Sequence, residues 1–207
     1  MHEYFACFGL PGTFVLTWLM SLAAVIFAVI RRKNDAYLCA AAMVVSSCGD
    51  MFTTRFGRIA ELFPNYLIIG ASLFMVAHVL YTLSYRTLAK SKGFRYFNGG
   101  VITAIVLALA CLVYFTVVCY QRNDFSMYVL CMLYLTVITL NCATVFSYAW
   151  SAVKKKPYLI FCAVGALSFF ISDLLLGLEV LAGIYDYSFL VWWFYPIGQI
   201  LLNVFAL

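Results

Sequence analysis

Charge is what this chain has least of. Lys, Arg, Asp and Glu make up 10% of its 207 residues, where a soluble domain carries about 25%. That excludes a soluble globular protein and leaves no stretch for a soluble domain. Histidine is scarce too: only His2 and His78 are present. A metal-dependent membrane hydrolase of the alkaline-ceramidase type needs several histidines, so that class is set aside. The eight cysteines (7, 39, 48, 111, 119, 131, 142 and 162) form no CxxC pair and have no His at metal spacing, which argues for small buried residues rather than a metal or redox site. No metal and no cofactor is expected. Period-2 alternation is missing, which excludes a transmembrane β-barrel. The start, MHEYFACFGLPG, lacks the basic stretch of a signal peptide, so the first helix is expected to be retained.

What is present is 66% hydrophobic residues in long runs. A bilayer core of roughly 30 Å needs about 20 apolar residues per helix. The runs predict an all-α polytopic membrane protein. It is a single transmembrane domain over 1–207, with helices near 12–30, 36–54, 64–85, 97–119, 126–150, 158–178 and 188–207. That is a bundle of seven helices, or eight if 158–187 or 59–85 is broken. The net charge of +5 is no nucleic-acid signal, because the basic residues sit in short loops. Ten Lys/Arg lie in the loops after the first, third and fifth helices, against Arg55, Arg58 and Arg122 in the opposite loops. The positive-inside rule then puts the N-terminus outside and the C-terminus in the cytosol.

Few ionisable residues fall within these helices, and each carries a cost. An aspartate at a helix centre costs on the order of 2.5–3.5 kcal/mol on insertion scales and is mostly functional. Asp173 sits in PYLIFCAVGALSFFISDLLLGL (157–178), and Asp50 in the second helix. Counting from the cytosolic edge, they are roughly 24 and 21 Å deep. At similar depth in low dielectric, two neighbouring carboxylates cannot both ionise cheaply, so a shared proton is expected, and with it an acid and a base. Ser46, Ser47, Thr53 and Thr54 share the Asp50 face with Met43. The plainer readings are an edge residue among back-bonding hydroxyls, or a structural pair, each tied to a hydroxyl or to Arg55.

His78 shares its face with Phe74, Met75, Tyr81, Thr82 and Tyr85. Counted from Pro64 it lies roughly 21 Å below the outer edge, deeper than the aspartates. Either its helix starts later than Pro64, or His78 serves the far end of a cavity; a hydrogen-bonded core histidine is the plain alternative. The fifth helix presents Tyr134, Asn141 and Tyr148, and the seventh Trp192, Tyr195, Gln199 and Asn203. Asn141 and Gln199 need partners, if only each other. The second, third, sixth and seventh helices are expected to surround one cavity lined by Asp50, His78, Asp173, Tyr195 and Gln199.

SSCGDMF (46–52), GASLFMVAHVLY (70–81), GALSFFISDLLL (165–176) and YPIGQILL (195–202), in that order and spacing, resemble the YhhN family of membrane proteins, which includes the lysoplasmalogenases. The resemblance spans nearly the whole chain. It implies a substrate, a lysophospholipid with a vinyl-ether chain, drawn from among the membrane lipids and hydrolysed to a fatty aldehyde and a glycerophospho-alcohol. Protonating a vinyl ether makes an oxocarbenium ion, which calls for an acid and a stabilising carboxylate. Asp50 and Asp173 are the expected catalytic pair. His78, Tyr81, Tyr134, Asn141, Tyr195, Gln199, Ser46 and Ser47 are expected to bind or orient the substrate. A proton-coupled transporter and a non-catalytic lipid-binding protein remain alternatives, since intramembrane Asp and His also build proton relays.

Overall fold

A computed structural model describes residues 2–54, 58–119, 125–183 and 186–206. Among these residues there are seven long helices and no strands. They are α1 (His2–Arg31), α2 (Asn34–Thr53), α3 (Tyr66–Ser91), α4 (Gly99–Cys119), α5 (Phe125–Ala152), α6 (Ile160–Ala182) and α7 (Ser188–Ala206). Five contain stretches long and apolar enough to cross a membrane; in α4 and α7 the described apolar stretches, Gly99–Val113 and Phe189–Val204, are shorter.

Several boundaries differ from the sequence expectation. α1 starts at His2 rather than at 12. α3 starts at Tyr66, beyond Pro64, and runs on to Ser91 rather than stopping near 85. Arg86 and Lys90 read as loop in the sequence, but long basic side chains can reach polar surroundings from a continuing helix. A single helical turn, Ile59–Leu62, precedes α3, and a 3-10 turn, Pro157–Leu159, precedes α6. Neither α3 nor α6 is itself broken. Gly183, with φ at +67°, ends α6 in the left-handed region that glycine enters without cost.

The packing follows small residues. α1 lays Thr17, Ser21, Ala24 and Ala28 against α2, and all four are buried. Their spacing of three and four puts them on one face. α2 pairs with α3, α4 with α5, and α6 with α7; α5 also meets α3 and α6. At the α6–α7 contact, a Cβ on Gly165 would stand 2.7 Å from Leu201 Cβ, and one on Gly198 2.8 Å from the Phe169 backbone nitrogen. Close backbone approach of this kind is how helices associate where no hydrophobic force separates them from lipid. The opposite faces carry exposed apolar residues, such as Leu19, Leu22 and Ile26 on α1 and Ile102, Val106 and Leu109 on α4. That is the surface hydrocarbon would cover.

Candidate active site

Two polar networks surround the aspartates Asp173 and Asp50. The first is centred on Asp173 in α6. Its Oδ2 accepts the Tyr134 hydroxyl at 2.7 Å and lies 3.1 Å from His78 Nε2. His78 Nδ1 lies 3.1 Å from Asn141 Nδ2. With the amide donating there, the ring carries its proton on Nε2 and donates it to Asp173. His78 is fully buried, edge-on to Phe169 at 4.6 Å and to Tyr134 at 5.9 Å. So α3 contributes His78, α5 contributes Tyr134 and Asn141, and α6 contributes Asp173. Asn141 Oδ1 is buried without a hydrogen-bond partner among the described residues.

The second network is centred on Asp50 in α2. Its Oδ2 accepts the Tyr195 hydroxyl at 2.9 Å. Gln199 Nε2 donates to Ser46 Oγ at 2.6 Å and to the Tyr195 oxygen at 3.1 Å. Gln199 Oε1 accepts from the Tyr81 hydroxyl at 2.7 Å, and Asn203 Nδ2 donates to the Tyr81 oxygen at 3.0 Å. Tyr195, Gln199 and Asn203 stand four residues apart, one above another on one face of α7.

The expected pairings are corrected on three counts. The carboxylates do not share a hydrogen bond; each has its own donors, and the route between them runs Tyr195, Phe169, His78 through ring contacts of 5.2 and 4.6 Å. Asn141 and Gln199 do not pair with each other, because one serves His78 and the other Tyr81 and Ser46. Ser47 turns to α1, where its hydroxyl meets Ser21 at 2.7 Å, away from its neighbour Ser46. His78 is not stranded at another depth: α3 starts at Tyr66, and the imidazole reaches Asp173. Thr53 and Thr54 bond backbone carbonyls of Gly49 and Asp50, as the plainer reading of that stripe has it. Arg55 lies outside the described residues.

Asp173 opens onto two cavities. One, about 50 Å³, is lined by Met132, Leu135 and Ile138 of α5 and Phe170 and Leu174 of α6, with Cys131, Tyr134, Asp173 and Gly177. The other, about 70 Å³, shares those last four and adds Thr53 of α2, Leu67, Ala71 and Phe74 of α3, Leu130 and Leu176. Asp50, His78, Tyr195 and Gln199 line neither. Both lie against α5 and α6, and the larger also against α2 and α3, rather than against the seventh helix. Phe74 stands between the larger one and the second network, 6.0 Å edge-on to Tyr195.

Sequence reasoning missed Thr17 and Ser21. Their spacing with Thr13, four residues apart in an apolar helix, was the available signal. Phe74 and Phe169, which separate the two networks, give no signal distinct from ordinary core residues. Among the described residues, no three His, Cys, Asp or Glu side chains converge as a metal site would need.

No curated protein and no solved structure matches the chain. The sequence profile of the YhhN family matches residues 12–205, which takes in both networks and every residue that lines the cavities. The apolar helical bundle with its two polar networks is therefore a YhhN fold, and this chain belongs to the YhhN family.

Proposed function

We propose that the protein is an intramembrane hydrolase that cleaves the vinyl-ether bond of lysoplasmalogens, with Asp50 and Asp173 as its catalytic carboxylates and no cofactor. The observation that carries this reading is Asp173: a carboxylate that accepts two hydrogen bonds on Oδ2 while lining two mostly apolar cavities. Oδ1 carries none of the hydrogen bonds among the described residues. A proton held there points to a substrate, while His78 and Tyr134 hold the charge that remains on Oδ2 once the proton leaves.

The reaction balances on these groups. Asp173 gives its proton to the β-carbon of the vinyl ether, and the α-carbon becomes an oxocarbenium ion. Water adds to the α-carbon and gives a proton back to the carboxylate. The hemiacetal then expels the glycerol oxygen, which takes up the hydroxyl proton as the aldehyde forms. Asp50, behind Phe74 and Tyr195, is the second carboxylate of the pair, held by the Tyr195 hydroxyl. Tyr134 touches the reacting region; His78, fully buried, acts through Asp173. Tyr81, Asn141, Tyr195, Gln199 and Ser46 hold the two carboxylates rather than the substrate. Ser47, turned to α1, packs that helix.

The frame for this chemistry is seven membrane-spanning helices, with the N-terminus outside and the C-terminus in the cytosol, as the loop charges favour. The test is incubation of the purified protein with a lysoplasmalogen and, separately, with an ester lysolipid. Aldehyde is expected from the first alone. No aldehyde from either would remove the hydrolase reading in favour of transport or lipid binding.

A further inference from the structure

Away from both networks, the end of the bundle at which α1, α3 and α5 finish carries ten Lys and Arg. Asp35 is the only acidic residue of that end, and Arg31 stands 3.4 Å from it. Three of the cations converge from three different loops. Lys92 follows the last residue of α3; its Nζ donates to the Tyr148 hydroxyl of α5 and lies 4.9 Å from the centre of that ring. Tyr148 is itself fully buried and edge-on to Tyr85 at 5.6 Å, so Lys92 is braced against a fixed group. Lys156 and Arg31 both stand close enough to act on it. Partial burial, then these two charges, push the Lys92 amine down from the usual lysine range, while Asp35 and Cys162 pull the other way. An ammonium has three donors and a neutral phenol takes one without cancelling the charge. Among the described residues, no carboxylate pairs with Lys92 or Lys156.

The surroundings say what kind of anion fits. Tyr37, Phe97, Trp150 and Tyr158 stand at the same end, each between 45% and 83% exposed. Exposed aromatic side chains at helix ends lie at the headgroup level of a bilayer, which puts the three cations at the depth of the lipid phosphates. We propose that Lys92 and Lys156, with Arg31 beside them, form a site for the phosphate of one anionic glycerophospholipid from the adjoining leaflet. Loop charges in general orient a chain and attract acidic lipid diffusely. This site differs in two ways: Lys92 is held on a buried tyrosine, and the cations come from three helix junctions. A bound phosphate therefore ties the α1–α2, α3–α4 and α5–α6 connections together. The site is remote from Asp50 and Asp173 and is independent of the hydrolase reading.

The test uses the full chain in vesicles of equal parts phosphatidylcholine and phosphatidylglycerol, released directly into a mass spectrometer that counts the lipids retained. One phosphatidylglycerol per chain is expected, in preference to phosphatidylcholine. Lys92→Gln and Lys156→Gln are each expected to lower that retention about fivefold, the loss of one basic side chain beside a lipid phosphate. Lys33→Gln and Lys154→Gln remove equally exposed charges of the same end and are expected to leave retention unchanged. The melting temperature in phosphatidylcholine alone is expected to match the wild type in all four. Should Lys92→Gln unfold for want of its bond to Tyr148, Lys156→Gln, whose side chain is exposed, decides. An equal fall in all four variants means diffuse attraction only and overturns the site, as does equal retention of the two lipids. Displacement of the phosphatidylglycerol by excess inorganic phosphate would make the occupant a water-borne anion and overturn the lipid assignment.

Discussion

Asp50 and Asp173 both lie inside the bundle, yet their surroundings divide the work between them. Asp173 touches the cavities; Asp50 is buried behind Phe74 and Tyr195. Asp173→Asn and Asp50→Asn are each expected to lower aldehyde release by at least about 10²-fold, because asparagine keeps the shape but has neither the acidic proton nor the charge. Both variants should still fold, since asparagine keeps the shape and its Oδ1 still accepts the tyrosine hydroxyl. Activity that survives in unstable Asn variants would show that the aspartates only hold the bundle. Tyr134→Phe removes one hydrogen bond to a charged group, worth roughly 1.5–3 kcal/mol, and leaves the ring. A fall in kcat of about 10–100-fold is expected, with unchanged thermal stability. The aspartates were legible in the sequence because hydrocarbon makes an ionised group conspicuous. Their partners were not. Hydropathy gives the length of a helix but not its rotation about its own axis, and that rotation sends Ser46 to Gln199 and its neighbour Ser47 to Ser21.

At the level of helices, the α6–α7 contact fixes the site. Gly198 faces the backbone of Phe169, and the Phe169 ring stands between His78 and Tyr195. Gly198→Val forces these backbones apart and moves that ring. Overpacking of this kind costs roughly 1–3 kcal/mol. A lower melting temperature together with reduced aldehyde release is expected; a melting temperature equal to the wild type would show that the two helices are not in backbone contact. The helices themselves were largely legible, since hydrocarbon demands continuous apolar runs. Their ends were less so. The Arg86 guanidinium, which reads as a loop charge, lies 5.7 Å from the Tyr96 ring centre while α3 continues beneath it. Gly165 and Gly198 are contact points between α6 and α7.

For the whole molecule, the loops at 31–35, 86–96 and 151–157 are expected on the cytosolic side, though the middle one is partly helical, as α3 extends to Ser91. Lys33→Cys and Lys155→Cys should react with a membrane-impermeant maleimide only after permeabilisation; labelling of intact cells would invert the topology. The charge bias was legible because it acts during insertion, before any packing exists. The cavities were not, because they arise only where helices meet. They are lined mostly by hydrocarbon-like residues, and the smaller lies between α5 and α6 alone, so the proposed substrate arrives from the bilayer itself. The quantity that sets the rate is then its mole fraction in the membrane and not its molarity in the tube. Adding inert phospholipid at constant bulk substrate should slow the reaction in proportion to the dilution of the surface. A rate that follows bulk concentration alone would mean that the substrate comes in from water.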